Sequence, residues 1–220
     1  MNLRAKIVFA ITMMFATGFA KADIIGGVDF PDGVVSFADQ VISFSAGANT
    51  AAPYNNPLGT IGAPDYNPAH DDPSTYVSLG WGGILTLMFT DNSLTTSGSN
   101  ALDLWVFEIG SAVEPTDVRI SQNGLDWISV GSVGGATAGI DIDAFVGHGV
   151  TLGAQYSYVQ LQDRNVRYSS YPYAGADIDA VGAISSAPPV SAVPEPETYA
   201  MLLAGLGLLS FTARRRKQSA

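Results

Sequence analysis

Along residues 23–186 apolar positions come in short bursts, each closed by Gly, Asn, Asp, Pro or Ser. Bursts rich in Val, Ile, Phe, Tyr and Trp with such punctuation predict β-strands. The candidate runs are two pieces within Val34–Ser45, then Tyr76–Leu79, Ile84–Thr90, Leu102–Ile109, Val118–Ser121, Trp127–Val133, Tyr156–Gln162 and Ile178–Ile184. In Val118–Ser121 and Tyr156–Gln162 the apolar residues recur every second position. Val118, Ile120, Val159 and Leu161 then face a core while Asp117, Arg119, Ser121, Tyr158, Gln160 and Gln162 face out. Asn123-Gly124, between two such runs, supplies the positive φ angles of a hairpin turn. No window of a dozen residues carries a helical period. About eight strands at this spacing predict an all-β, two-sheet antiparallel sandwich. Ala46–Pro73 has no period and is rich in Asn, Pro, Gly, Ala and Asp. It reads as a long loop, a kind of segment that is often functional or ion-bound.

Two hydrophobic segments flank this region, and neither belongs to its pattern. Arg4 and Lys6 precede an apolar run from Ile7 to Phe19, and Ala20-Lys21-Ala22 follows. This is the layout of a secretory signal over residues 1–22, with Ala20 and Ala22 at the positions a signal peptidase reads. An uncleaved anchor is the alternative. At the other end a Pro-rich linker, 187–193, leads to Pro194-Glu195-Pro196. An apolar stretch from Tyr199 to Ala213 and then Arg214-Arg215-Arg216-Lys217 complete the chain. As a helix the apolar stretch is roughly 22 Å long, short against a bilayer core of about 30 Å. The arginines would stay cytoplasmic, which puts the region between the two segments outside the cytoplasm.

Composition sharpens this division. The chain has 220 residues and a net charge of −10. Between Asp23 and Val193 lie sixteen Asp, two Glu, three Arg and no Lys. Such a balance argues against nucleic-acid binding, which needs cations for the phosphates. With no cysteine, disulfides, thiol nucleophiles and cysteine-ligated metals are excluded. His70 and His148 are isolated, and neither a paired-His motif nor a G-x-S-x-G elbow is present. The sequence therefore reads as a non-enzyme. A glycoside hydrolase is the remaining enzymatic alternative, because two facing carboxylates suffice for it.

Resemblances add to this. Pro194-Glu195-Pro196, the short Leu- and Gly-rich span and the terminal Arg cluster, together residues 194–220, resemble the PEP-CTERM sorting signal. That resemblance implies a partner of exosortase type, transient inner-membrane anchoring through a C-terminal sorting helix, and delivery to the cell surface or extracellular matrix of an exopolysaccharide-producing bacterium. Leu58–Asp65, Val77–Gly83, Leu104–Glu108, Ser121–Trp127 and Gly175–Val181 resemble a bacterial surface family with a galactose-binding-like jelly roll. The Ser-x-x-Gly-x-x-Trp stretch is similar to discoidin-type domains.

Two kinds of site are expected. Asp177 and Asp179 are two apart on a strand and so share a face. Asp141 and Asp143 repeat that spacing, and Asp103 and Glu108 flank the run between them. Calcium takes six to eight oxygens from carboxylates, carbonyls and water. A structural Ca²⁺ is thus expected on a subset of Asp103, Glu108, Asp177 and Asp179, with solvated turn residues as the alternative. The second site is a saccharide face. Tyr54, Tyr66 and Trp81 lie in or near loops, and Arg164, Arg167, Tyr168, Tyr171 and Tyr173 fall in one loop before the last strand. Rings stack on sugars and Arg binds hydroxyls; the alternative is that these rings merely cover the sandwich end. Trp105 and Trp127 are expected in the core. The functional expectation is a Ca²⁺-stabilised surface module that binds exopolysaccharide. A polysaccharide hydrolase and a purely structural matrix component are its competitors.

Overall fold

The computed structural model describes residues 23–110 and 114–189. Among them are thirteen strands, three short 3-10 turns and no α-helix. None of these elements is a helix long and apolar enough to cross a membrane. The expected signal and sorting segments, with Ala20, Ala22, Pro194, Glu195 and Pro196, lie outside the described residues.

Two sheets face each other. One has five strands in the order β3 (Gln40–Ser45), β5 (Ile84–Met88), β11 (Tyr158–Asp163), β8 (Thr116–Ser121) and β9 (Ile128–Val133). The other has four, in the order β10 (Thr137–Ile140), β7 (Leu104–Glu108), β12 (Asp177–Ala183) and β4 (Val77–Ser78). Every pair of neighbouring strands is antiparallel. Leu85, Leu87, Val118, Ile120, Val159 and Leu161 from the first sheet meet Val77, Leu104, Val106, Ile178 and Val181 from the second in one continuous buried core. The protein is therefore an all-β antiparallel sandwich.

The two sheets differ on their outer sides. The five-stranded sheet is bare there, so β11 shows a strict alternation of buried and half-buried positions. The four-stranded sheet is covered by a hairpin of β1 (Asp23–Ile25) and β2 (Val28–Phe30). Phe30, Phe37 and Phe107 cluster beneath it, with ring centroids 4.6–6.1 Å apart, over Ala180. In β12 every residue after Asp177 is buried, because both of its faces are covered. Gly182 is required here, since a β-carbon would stand 2.7 Å from the Phe30 ring.

Several expectations need correction. Val34 and Val35 form no strand; Gly33–Ser36 is a 3-10 turn entered through Gly33 at φ +60°. At the expected hairpin only Gly124 has a positive φ. Asn123 acts through its side chain, whose Oδ1 accepts hydrogen bonds from the backbone N–H of Leu125 and Asp126. Ser121 is buried rather than outward-facing. Trp127 precedes β9 and is half-buried at the surface, lining a cavity with Gln122, Asn123, Asp126 and Ile128. The Pro-rich stretch is also fastened at its start. β13 (Ser186–Ala187) pairs with β6 (Ser93–Leu94), and the Pro188 carbonyl accepts from Ser93 Oγ and Gln155 Nε2.

Candidate functional site

The β7 strand separates the expected metal ligands. Asp103 stands at one end of it and Glu108 at the other, roughly 17 Å apart at 3.4 Å per residue. No single ion spans that distance, so Asp103, Glu108, Asp177 and Asp179 are not one site. Asp177 and Asp179 part company as well. The register of β12 on β7 shifts between Ile178 and Ala180, which places Asp179 in a bulge. Asp177 hydrogen-bonds the Ser78 hydroxyl across to β4. Asp179 accepts instead from the backbone N–H of Asp65 (3.2 Å) and Tyr66 (3.3 Å).

Asp103 has different company. One carboxylate oxygen each from Asp103, Asp141 and Asp143 lie within 4.8 Å of one another. Two oxygens bound to the same Ca²⁺ at about 2.4 Å each can be no further apart than that. The three are held in place by backbone donors: Ser97 and Ile142 to Asp103, Ser97 and Gly98 to Asp143, and Asp143 to Asp141. Burial is the main reason that Asp103 holds its proton above the usual carboxyl range.

At the other end of β7 the buried acids lie between the sheets. Glu108 accepts from the backbone N–H of Glu114 at 3.0 Å, and the two carboxyls also hydrogen-bond each other. Burial pushes Glu108 up to about 8 and raises Glu114 too. Asp163 gathers two loops, accepting from the N–H groups of Gly82 (2.8 Å) before β5 and of Asn165 (2.7 Å) and Ala176 (3.2 Å) at the two ends of the β11–β12 loop.

On the outside of this same end is a cavity of about 320 Å³. Gly26 of the covering hairpin, Pro64 and Tyr66 form one wall; Phe107, Glu108, Ile109, Gly110, Ala136, Thr137 and Asp179 form the rest, so that two carboxyls, Glu108 and Asp179, border the cavity. Asp179 is only 5% exposed. Its pKa is raised to about 6, chiefly by burial, against the two N–H bonds that favour the anion. Asp177, beside Gly110, is raised to about 7, again by burial.

An aromatic row connects this cavity to the loop between β11 and β12. Tyr66 meets Tyr76 edge-on at 5.6 Å, Tyr76 meets Tyr54 at 6.2 Å, and Tyr54 meets Tyr173 at 5.6 Å. The long loop and the β11–β12 loop are joined by backbone bonds from Ala51 to Pro172 and from Ala174 to Asn49. Tyr168, Tyr171 and Tyr173 are 64%, 67% and 46% exposed. The Arg167 guanidinium lies 5.0 Å over the Trp81 ring, a cation–π contact. Arg164 pairs with Asp117 at 3.5 Å, which directs it to the β8 side of the loop. Sequence reasoning named Tyr54, Tyr66, Arg167 and Tyr173 but could not join them. Their link, Tyr76, sits inside a strand-like run, and its OH donates to Asp71. Gly26, Phe107 and Thr137 were missed because each comes from a different element and none carries a motif.

Comparison with known proteins adds the following. Among curated proteins none matches the chain. A solved structure similar to it is the C-terminal domain of a chitobiase from Bacteroides fragilis, at 12% identity, 66% of this chain, 91% of that one and a TM-score of 0.37. A family model, the PEP-CTERM protein-sorting motif, matches residues 192–217. The chain thus carries a PEP-CTERM sorting motif, the mark of an exported, envelope-associated protein that an exosortase processes.

Proposed function

We propose that this protein is a saccharide-binding module of the bacterial surface or extracellular matrix, without enzymatic activity of its own. The observation that carries the reading is the row Tyr173–Tyr54–Tyr76–Tyr66, which runs from an exposed loop into a cavity containing a carboxylate. Aromatic faces take the apolar faces of sugar rings, and Asp179 accepts from hydroxyls. Few convergent polar groups in an otherwise apolar hollow are the usual make-up of a small-ligand site. An exported protein in an exopolysaccharide-producing envelope meets such polymers at high concentration. Binding of the processed protein to a glycan array, with loss of signal in Tyr173→Ala, is the expected result. Release of reducing ends from matrix polymer would replace this reading with a hydrolase. Absence of any saccharide binding would leave the structural matrix component.

Calcium is the second part of the proposal, and it belongs at Asp103, Asp141 and Asp143. The support is their shared 4.8 Å sphere. Filling the other coordination positions requires nearby carbonyls and water. Calcium bound only by the folded state raises the melting midpoint, and EDTA lowers it. An unchanged midpoint in both conditions removes calcium from the account.

A further inference from the structure

The cavity beside β7 holds a charge that the protein does not balance. Asp179 lines it, almost fully buried, and accepts hydrogen bonds from two backbone N–H groups, those of Asp65 and Tyr66. The three arginines of the region are engaged elsewhere. Arg119 bonds Gln160 and Gln162, Arg164 pairs with Asp117, and Arg167 covers Trp81 and bonds Asn165. No lysine exists between Asp23 and Val193. The surroundings add only more acid: Glu108 in the cavity lining itself, Asp65 on the loop wall, Asp177 on the same strand, and Asp71 behind Tyr76. Buried carboxylates without a counter-ion attract a cation that enters their cavity, and they disfavour an anion there. The remaining walls, Tyr66 and Phe107, are rings, which suit the body of a pyranose and also attract positive charge.

Resting on the saccharide reading above, we propose that the preferred ligand is an amino sugar with a free, protonated amine, its nitrogen directed at Asp179. The ring lies against Tyr66 and Phe107, and further units of the oligomer run over Tyr54 and Tyr173, which the buried Tyr76 ties to Tyr66 from behind. Uronic-acid and sulfated polymers are rejected by the same charge. A cavity of about 320 Å³ is at the small end of the range for ligand sites, roughly 300–1,000 Å³, as befits one terminal unit.

The test is calorimetric titration of the processed protein, in EDTA, with four trisaccharides: glucosamine, N-acetylglucosamine, glucose and a uronate. At pH 7 the glucosamine oligomer is expected to bind about tenfold more tightly than its N-acetylated form, and the uronate not at all. At pH 4.5, where Asp179 is protonated, that gap closes. Asp177 and Glu108, both raised by burial, gain protons in the same sense as the pH falls and do not reopen it. Asp179→Asn removes the gap at pH 7, so that the glucosamine oligomer binds no more tightly than its N-acetylated form. The pH comparison keeps the test valid should that variant fold poorly. Equal affinity for amine and N-acetyl forms at pH 7, or preference for the uronate, overturns the charge inference and leaves saccharide binding standing. Binding of none of the four overturns both.

Discussion

Glu108 and Glu114 are the two glutamates between Asp23 and Val193, and folding puts them against each other in the dry interior. Glu108 ordinarily titrates at 4.5 and is pushed up to about 8 by burial. The folded state therefore holds this proton more tightly than the unfolded chain does. Its contribution is complete below 4.5 and is lost as pH rises through about 8. Asp177 and Asp179, raised to about 7 and about 6, act in the same direction. The melting midpoint is accordingly expected to fall between pH 5 and pH 9, with a slope of at most about 1.4 kcal/mol per pH unit for each group. Glu108→Gln, which keeps an acceptor for the Glu114 N–H, flattens the part of that decline above about pH 7, where Asp177 and Asp179 are already ionised. A midpoint that rises over this range would mean that the glutamates are not sharing a proton. The sequence singled out Glu108 as acidic, but its partner Glu114 was invisible as such, because Glu108 ends a strand of one sheet, Glu114 precedes a strand of the other, and only folding brings their carboxyls together.

At the scale of elements, legibility followed the number of covered faces. β8 and β11 belong to the sheet with one bare side, so their period of two could be read directly. β7 and β12 are covered on both sides, and their near-continuous apolar runs gave position but not facing. The covering hairpin β1–β2 is three residues per strand, too short for any periodicity to register. For the same reason β12's bulge could not be anticipated, and with it the separation of Asp177 from Asp179. Asp163 shows how strongly the elements depend on one carboxylate. Asp163→Ala leaves three N–H groups, on the loops at Gly82, Asn165 and Ala176, without their acceptor. The expected cost is about 3 kcal/mol or more, read as a lower denaturation midpoint; a change under about 0.5 kcal/mol, as at an ordinary surface position, would contradict it. Gly83→Ala is expected to be at least as damaging, since its β-carbon would fall 1.8 Å from the Leu79 carbonyl oxygen. An unaltered midpoint in that variant would mean that the Leu79 and Gly83 backbones do not pack this closely.

For the whole molecule, the cavity and the last described residues lie at opposite ends of one strand. Ile184 and Ser185 bond the Asp103 carbonyl, and the described chain leaves past Ala187 at that end of β7. The cavity and the tyrosine row lie at the Glu108 end. The aromatic end of the sandwich is therefore the one away from the last described residues. The absence of cysteine permits a clean check. A single thiol introduced as Tyr168→Cys, at an exposed position, is expected to react with a membrane-impermeant maleimide on intact cells. Reaction only after the cells are broken would contradict surface display.

Hydrogen-exchange footprinting of the processed protein, with and without soluble exopolysaccharide, tests the saccharide-binding claim most directly. The account predicts slowed exchange in residues 49–81 and 164–179 and none on the bare face of the five-stranded sheet. Protection confined to that bare face, or no protection anywhere at saturating polymer, would contradict it.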